Sequence, residues 1–427
     1  MNDELLLVGA RVIDPLNAFD GLRDIGIRDG VIVDPATLHA AERLNLKGKV
    51  VAPGFIDLHV HLRYPGQTHK EDIRSGTAAA AAGGFTTVLA MPNTVPAVDN
   101  PALLADVLRK AATEGAVHVL QAGALTVGRQ GEEVTDIAGL KAAGAPVVTD
   151  DGSTPQQAAV MRQAMIAAAA AGIAVIDHCE DTNLARPGVM HDGAVARELG
   201  LPGQPRSAEE VIVARDIVLA AETGCRLHLQ HLSSAGSVAM LRLAQQQGLP
   251  VTGEVCPHHL FLTDEACRTF GVNAKMAPPL REEADRQALI EGLRDGTLCA
   301  IASDHAPHSA EEKAAGWNKA PFGIVGLEAA VPLCLTELYH RGILTLSQLI
   351  ALFTVGPRKV LGLPIGSLAL GATADVTILD PDAEHSISVE SFASRSRNCP
   401  YEGWKCRGKV VGTLVGNTRF LSADFAD

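Results

Sequence analysis

Between residues 54 and 304 the chain repeats one unit eight times, a short apolar strand followed by an Ala/Leu-rich stretch with helical spacing. The strands fall at 54–61, 86–90, 117–121, 146–149, 174–178, 226–231, 250–254 and 299–304, and stretches such as 156–171 and 209–222 carry the helices. Strands joined by helical crossovers pair in parallel. Eight consecutive units predict a (β/α)8 barrel rather than an open doubly wound sheet, and no phosphate-binding glycine fingerprint follows any strand. The flanks read differently. Residues 1–52 and 366–427 break into short β-like pieces punctuated by turn signals such as Asp29-Gly30 and Lys47-Gly48. They predict one small discontinuous β-sandwich domain built from both termini around a barrel at 53–365.

Composition narrows the function. With 47% hydrophobic and 20% charged residues the chain can build a large core. Its 36 basic against 49 acidic residues leave a net charge of −13, with no Lys/Arg-rich run. This argues against a nucleic-acid or anionic-membrane binder and requires local cations for any acidic substrate. No uncharged apolar run reaches membrane-spanning length and the first ten residues lack a basic export signal, so a cytoplasmic location is expected. The eight cysteines are scattered without a CxxC pair and read as reduced, buried thiols.

The predicted strand ends carry an unusual polar set. His59 and His61 are two residues apart on the first strand and project to one side of the pleat. Asp151 follows the fourth strand, while His178, His231 and Asp304 close the fifth, sixth and eighth. Four imidazoles and two carboxylates converging on one barrel mouth suit zinc. Asp151 is the natural bridge, with His59, His61 and Asp304 completing one ion and His178 and His231 a second. Such a pair would activate a bridging water for attack on an amide-like carbonyl. A histidine alone on an apolar strand is more often a hydrogen-bonded core residue, which is the reading for His118 and His228.

Several motifs go further. Gly54-Phe-Ile-Asp-Leu-His-Val-His-Leu-Arg63, Met91-Pro-Asn-Thr94, Asp150-Asp-Gly152, Ser303-Asp-His-Ala-Pro-His308, Pro321-Phe-Gly-Ile-Val-Gly-Leu-Glu328 and Gly356-Pro-Arg-Lys-Val-Leu-Gly362 resemble the class I dihydroorotases of the amidohydrolase superfamily. The resemblance spans essentially the whole chain. It implies reversible zinc-dependent hydrolysis of dihydroorotate to N-carbamoyl-L-aspartate, the third step of pyrimidine synthesis, and makes the same six residues the zinc ligands. It further implies that Arg63 and Asn93 hold the substrate carboxylate, with His61 alongside, His308 assisting, and main-chain groups of Phe322 and Gly323 on the ring. Asp304 would act as base and then acid.

One position departs. The family typically has Asn before Pro278-Pro-Leu-Arg281, where this chain has Ala277, so contact there falls to the Ala277 main chain or to a neighbour such as Asn273. Asp57, His258, His259 and His305 are expected to orient ligands from behind. The charged stretch 309–319 reads as a mobile loop over the site or as an ordinary solvated connector. Two rival readings remain. A hydantoinase or allantoinase usually bridges its metals with a modified lysine, where this chain has Asp150-Asp151. A silent structural partner of aspartate transcarbamoylase would lose metal ligands, and here all six positions are filled. The resemblance leaves open a homodimer and an association with aspartate transcarbamoylase.

Overall fold

The computed structural model describes residues 3–364 and 367–422. The expected domain division at 365/366 and the final stretch 423–427 lie outside the described residues. Eight parallel strands dominate: β1 (Phe55–Val60), β2 (Phe85–Ala90), β3 (His118–Gln121), β4 (Val147–Val148), β5 (Ala174–Asp177), β6 (Leu227–Leu229), β7 (Val251–Val255) and β8 (Ala300–Ile301). They form a three-stranded sheet, β3-β2-β1, and a five-stranded one, β4-β5-β6-β7-β8. Parallel bridges Gly123↔Val148 and Val60↔His305 join the two sheets at both edges. The eight strands therefore run in one cyclic order with no free edge.

Both faces of this ring are apolar, as parallel strands require. Ile56, Leu89, Ala122, Val147, Ala174, Ile176 and Ala300 pack together inside. Phe55, Val88, Val148, Val175, Leu227, Val251 and Ile301 join the helices in a larger cluster. Those helices are α1 (Ile73–Ala82), α2 (Pro101–Glu114), α3 (Ile137–Ala142), α4 (Ala158–Ala171), α5 (Ser207–Thr223), α6 (Ala235–Gln246), α7 (Glu283–Arg294) and α8 (Leu327–Cys334). Local chemistry sets their ends. Asn100 caps α2 by accepting from Leu103 N at 3.0 Å ahead of Pro101, and Gly172 ends α4 in the left-handed conformation.

β4 and β8 are shorter than the sequence pattern suggests, because side chains take over the backbone donors where the ladder stops. Thr126 N donates to Asp150 Oδ1 at 3.0 Å and Asp151 N to the Thr149 hydroxyl at 3.0 Å. Ser303 N donates to Asp57 Oδ1 and His305 N to the Ser303 hydroxyl, each at 3.1 Å. The turns that carry Asp151 and Asp304 are thus fixed by hydrogen bonds outside the sheet.

The termini interleave. A six-stranded sheet runs Thr418–Leu421, Lys405–Val415, Val376–Ser386, Val50–Pro53, Arg11–Asp14, Phe19–Leu22, and a four-stranded one Val31–Val33, Ile25–Arg28, Glu4–Val8, Glu42–Asn45. Leu5, Leu7 and Ile25 of the smaller sheet share an apolar cluster with Val12, Val51, Val376 and Ile378 of the larger. Residues 387–404 take another course. Ile387, Val389, Cys399 and Tyr401 pack with Ile324, Val325 and Leu333, beside the ring rather than between the terminal sheets. No helix among the described residues is long and apolar enough to cross a membrane.

Candidate metal centre and substrate cleft

All six expected donors meet at one end of the ring. His59 Nε2 lies 3.0 Å from Asp151 Oδ1 and 3.5 Å from Asp304 Oδ1. His61 Nε2 lies 3.1 Å from Asp304 Oδ1 and 3.6 Å from Asp151 Oδ2. His178 Nδ1 and His231 Nε2 stand 2.9 Å apart, each 3.9 Å from Asp151 Oδ1. Asp151 belongs to two buried donor triads, one with His59 and His61 and one with His178 and His231. The β1–β2 ladder shifts register between Asp57 and Val60, a bulge that re-aims the strand bearing His59. Arg63, His231 and Asp304 all take left-handed backbone (φ 56°, 32° and 45°), each at a cost of roughly 1–3 kcal/mol that clusters at functional sites.

The protonation pattern shows what this geometry accommodates. Asn93 Nδ2 donates to Asp151 Oδ2 at 3.1 Å, which turns Asn93 Oδ1 toward His61 Nδ1 at 2.9 Å. A carbonyl only accepts, so the His61 proton sits on Nδ1 and Nε2 presents a lone pair to Asp304. Burial holds His61 below its ordinary value, in keeping with a neutral ring. Burial pushes Asp151 and Asp304 upward, but the imidazoles around them prevail and hold both below the usual carboxylate range. A lone pair thus faces an ionised oxygen. His59 Nε2 and Asp151 Oδ1, both buried, find no partner other than each other at 3.0 Å; burial pulls the His59 ring down, but Asp151 and Asp304 hold it well above its ordinary value. The two carboxylates thus draw positive charge into the space between these atoms, the place a cation would take. The donor set therefore fits metal binding.

Above the centre lies a cleft of about 310 Å³. Arg63, Asn93, Ala277, His308, Phe322 and Gly323 all line it, as do five of the six donors, with His59 hidden behind them. Arg63 is 7% exposed and donates Nε–H to Pro307 O at 3.2 Å. Burial lowers its guanidinium to about 10, leaving it charged at neutral pH. His308 Nε2 donates to Phe322 O at 2.8 Å and stands 3.2 Å from Arg63 Nη2. Burial, then the Arg63 charge, holds His308 down to about 2, so it is neutral. Asn273 lines a separate groove with His69 and Ser309 and does not replace Ala277.

Other expectations are refined. Asp57 accepts from His59 N at 3.0 Å and from Ser303 N, joining the strand that carries His59 to the turn that carries Asp304. His305 reaches Glu71 at 3.4 Å and accepts from Gly326 N at 3.2 Å, away from the donors. His259 bonds Pro278 O at 2.9 Å, behind Ala277. His228 is buried between Thr252 and Glu254, whereas His118 is exposed and paired with Asp375 at 3.2 Å, so it is no core residue.

Several residues escaped the sequence reading. Glu254 Oε1 and Gln230 Nε2 back His59 Nδ1 at 3.4 and 3.1 Å. Glu254 closes the seventh predicted strand, a signal that was readable. Arg129 donates to Asp150 O and Asp151 O and so secures the Asp151 turn. Asn398 accepts from His308 N at 3.1 Å and donates to Ala306 O and Gly323 O at 3.0 Å.

Comparison with known proteins agrees with this geometry. A family model described as "Dihydro-orotase-like" matches residues 48–237. A dihydroorotase of Geobacillus sp. (strain WCH70) is 52% identical over 377 residues, covering 88% of each chain. That of Anaeromyxobacter dehalogenans (strain 2CP-1 / ATCC BAA-258) is 47% identical over 433 residues, covering 100% of both.

The chain belongs to the dihydroorotase family.

Membership makes it a hydrolase of cyclic amide bonds. Among solved structures, the L-hydantoinase (dihydropyrimidinase) from Arthrobacter aurescens superposes with TM-score 0.88 at 26% identity, covering 99% of this chain and 96% of that one. Dihydropyrimidinase from Brevibacillus agri NCHU1002 gives 0.85 at 22% identity, over 98% and 95%, a likeness of fold. Sequence thus sets this dihydroorotase-family chain much nearer the dihydroorotases than the hydantoinases whose fold it shares.

Proposed function

We propose that the cleft hydrolyses (S)-dihydroorotate reversibly to N-carbamoyl-L-aspartate, as a zinc-dependent dihydroorotase of pyrimidine (UMP) synthesis in the cytoplasm. The cyclic strands form a (β/α)8 barrel within residues 53–364, and the terminal sheets a small β-sandwich domain within 3–52 and 367–422, from which 387–404 depart to pack beside the barrel. His59, His61 and Asp304 would hold one zinc and His178 and His231 the other, with Asp151 available to both. When bound, zinc would supply Lewis acidity, which lowers the pKa of a water and polarises an amide carbonyl.

The chain's own groups do the rest. Arg63, with Asn93 beside it, binds the substrate carboxylate through charge-assisted hydrogen bonds. His308 is neutral and packs against Arg63, and main-chain groups of Ala277, Phe322 and Gly323 contact the ring. Asp304 is ionised and central, so it accepts the proton of the attacking water and delivers it to the departing ring nitrogen. The placement of Asp151 in both donor triads, with its Oδ1 meeting no partner but His59, carries this reading most directly.

The deciding experiment follows turnover in both directions together with metal content of the same sample. Turnover of L-dihydroorotate, abolished by chelation and restored by zinc, is expected. Bound zinc with turnover of hydantoins alone would overturn the substrate, and absence of both would overturn the catalytic reading.

A further inference from the structure

Two lysines are buried near the cleft, and no carboxylate pairs with either among the described residues. Lys313 is 4% exposed and ends the short helix Ala310–Lys313, whose start is fixed by a capping box of Ser309 and Glu312. Its Nζ donates to Pro321 O and Gly323 O at 3.1 Å each and reaches Lys275 O at 3.5 Å. Lys275 is 2% exposed and donates to Trp317 O at 2.5 Å and Ala320 O at 2.6 Å. Its ammonium also lies 4.3 Å from the centre of the Phe322 ring. Gly323 N returns a bond to Lys275 O at 2.9 Å.

Burying two amino groups without counter-charges is expensive: burial lowers both from the ordinary lysine value, Lys313 to about 7, and an apolar side chain would fill either space at less cost. What the amino groups supply is donors, met in Lys313 by three carbonyls. The segment 317–323, which begins at the end of the stretch that reads in sequence as a mobile or solvated connector and runs beyond it, is thus fastened from below at four main-chain carbonyls between Trp317 and Gly323.

That segment forms one wall of the cleft. Gly323 sits at φ 121°, where a Cβ would come within 2.5 Å of Ala306 Cβ, so the wall stands in close contact with the loop after β8. Phe322 O accepts from His308, whose ring abuts Arg63. A displacement of residues 320–323 would therefore move both the ring contacts and the carboxylate clamp.

We propose that Lys275 and Lys313 are positioning residues that hold the Phe322–Gly323 wall, and through it His308 and Arg63, in register for the substrate. This rests on the reading that Arg63 and the 322–323 main chain contact substrate. The test uses the zinc-loaded full chain carrying Lys275→Met or Lys313→Met, with Arg63→Ala in parallel. Each lysine variant should raise KM for dihydroorotate at least tenfold while kcat falls less and zinc content stays constant. Trypsin should also cleave faster at exposed Lys319.

Unchanged KM in both lysine variants, beside a raised KM in Arg63→Ala, would overturn the clamp alone. Unchanged KM in Arg63→Ala would overturn the substrate reading instead. Loss of thermal stability with KM intact would reduce the lysines to structural groups and refute the proposal. Should the variants not fold, the native enzyme still decides: saturating N-carbamoyl-L-aspartate should slow cleavage at Lys319, and unaltered cleavage would count against the coupling.

Discussion

The cleft has two halves built on opposite principles. Its floor is made of side chains at strand ends, where His59, His61, Asp151, His178, His231 and Asp304 project into one volume and meet through ring nitrogens and carboxylates. Its wall is made of main chain, where Phe322 and Gly323 are held by Lys275, Lys313 and Asn398 through bonds to carbonyls. The floor needs particular atoms at particular strand ends. The wall needs a backbone path, and residues remote in sequence secure it. Chemistry is expected to fail when the floor is altered, and affinity when the wall is.

The largest effect should come from Asp304→Asn, which can retain an oxygen ligand but cannot take the proton. Proton transfer by a placed side chain contributes about 10²- to 10⁴-fold, so kcat should fall by that order with zinc retained and KM little changed. Near-normal kcat would show that the floor's base lies elsewhere. Next comes Arg63→Ala, between floor and wall. Removing a charge-assisted, bidentate anchor worth about 1.5–3 kcal/mol per hydrogen bond should raise KM roughly 10- to 100-fold or more, with a smaller effect on kcat. Steady-state kinetics in both directions would separate the two variants.

This division also governs what could be read from the chain. The eight strands and the floor were legible, since apolar runs mark strands and the residues just past them share the mouth by geometry alone. His178 and Asp304 needed nothing else. The wall was not legible. Asn398 lies 90 residues beyond the His308 it orients, in a stretch with neither strand nor helix period. Lys313 misled for a different reason: a lysine in a run of charges normally faces solvent, and only packing against Pro321 and Gly323 turns it inward. Arg129 was hidden in the same way, since its donors serve the carbonyls of Asp150 and Asp151 rather than any side chain.

Asn398→Ala tests the wall more gently. It removes one acceptor and two donor bonds at a buried position, so stability should drop by about 1–3 kcal/mol through the groups left unpaired. KM should rise severalfold while metal content and the kcat of saturated enzyme change little. Denaturant unfolding alongside kinetics would check both parts, and a kcat loss comparable to that of Asp304→Asn would dissolve the distinction between floor and wall.

The smallest effect concerns the strap that carries Asn398. Glu328, at the start of α8, accepts from Ala393 N at 3.0 Å and Ser394 N at 3.1 Å. Burial raises its carboxyl from 4.5 to about 7 despite those two bonds. A raised folded-state value means the folded chain binds the proton more tightly than the unfolded chain. The resulting stability is fully present below pH 4.5 and is lost as pH rises through about 7. A shift of this size corresponds to at most about 3 kcal/mol, less after allowance for the part that remains open to water. Glu328→Gln keeps an acceptor and cannot ionise, so it should match the parent protein near pH 4.5 and exceed it near pH 8. Its activity at either pH should be unchanged, because the floor is untouched. Parallel stability profiles for the two proteins across that range would mean that folding does not raise the Glu328 carboxyl, its two backbone bonds offsetting burial.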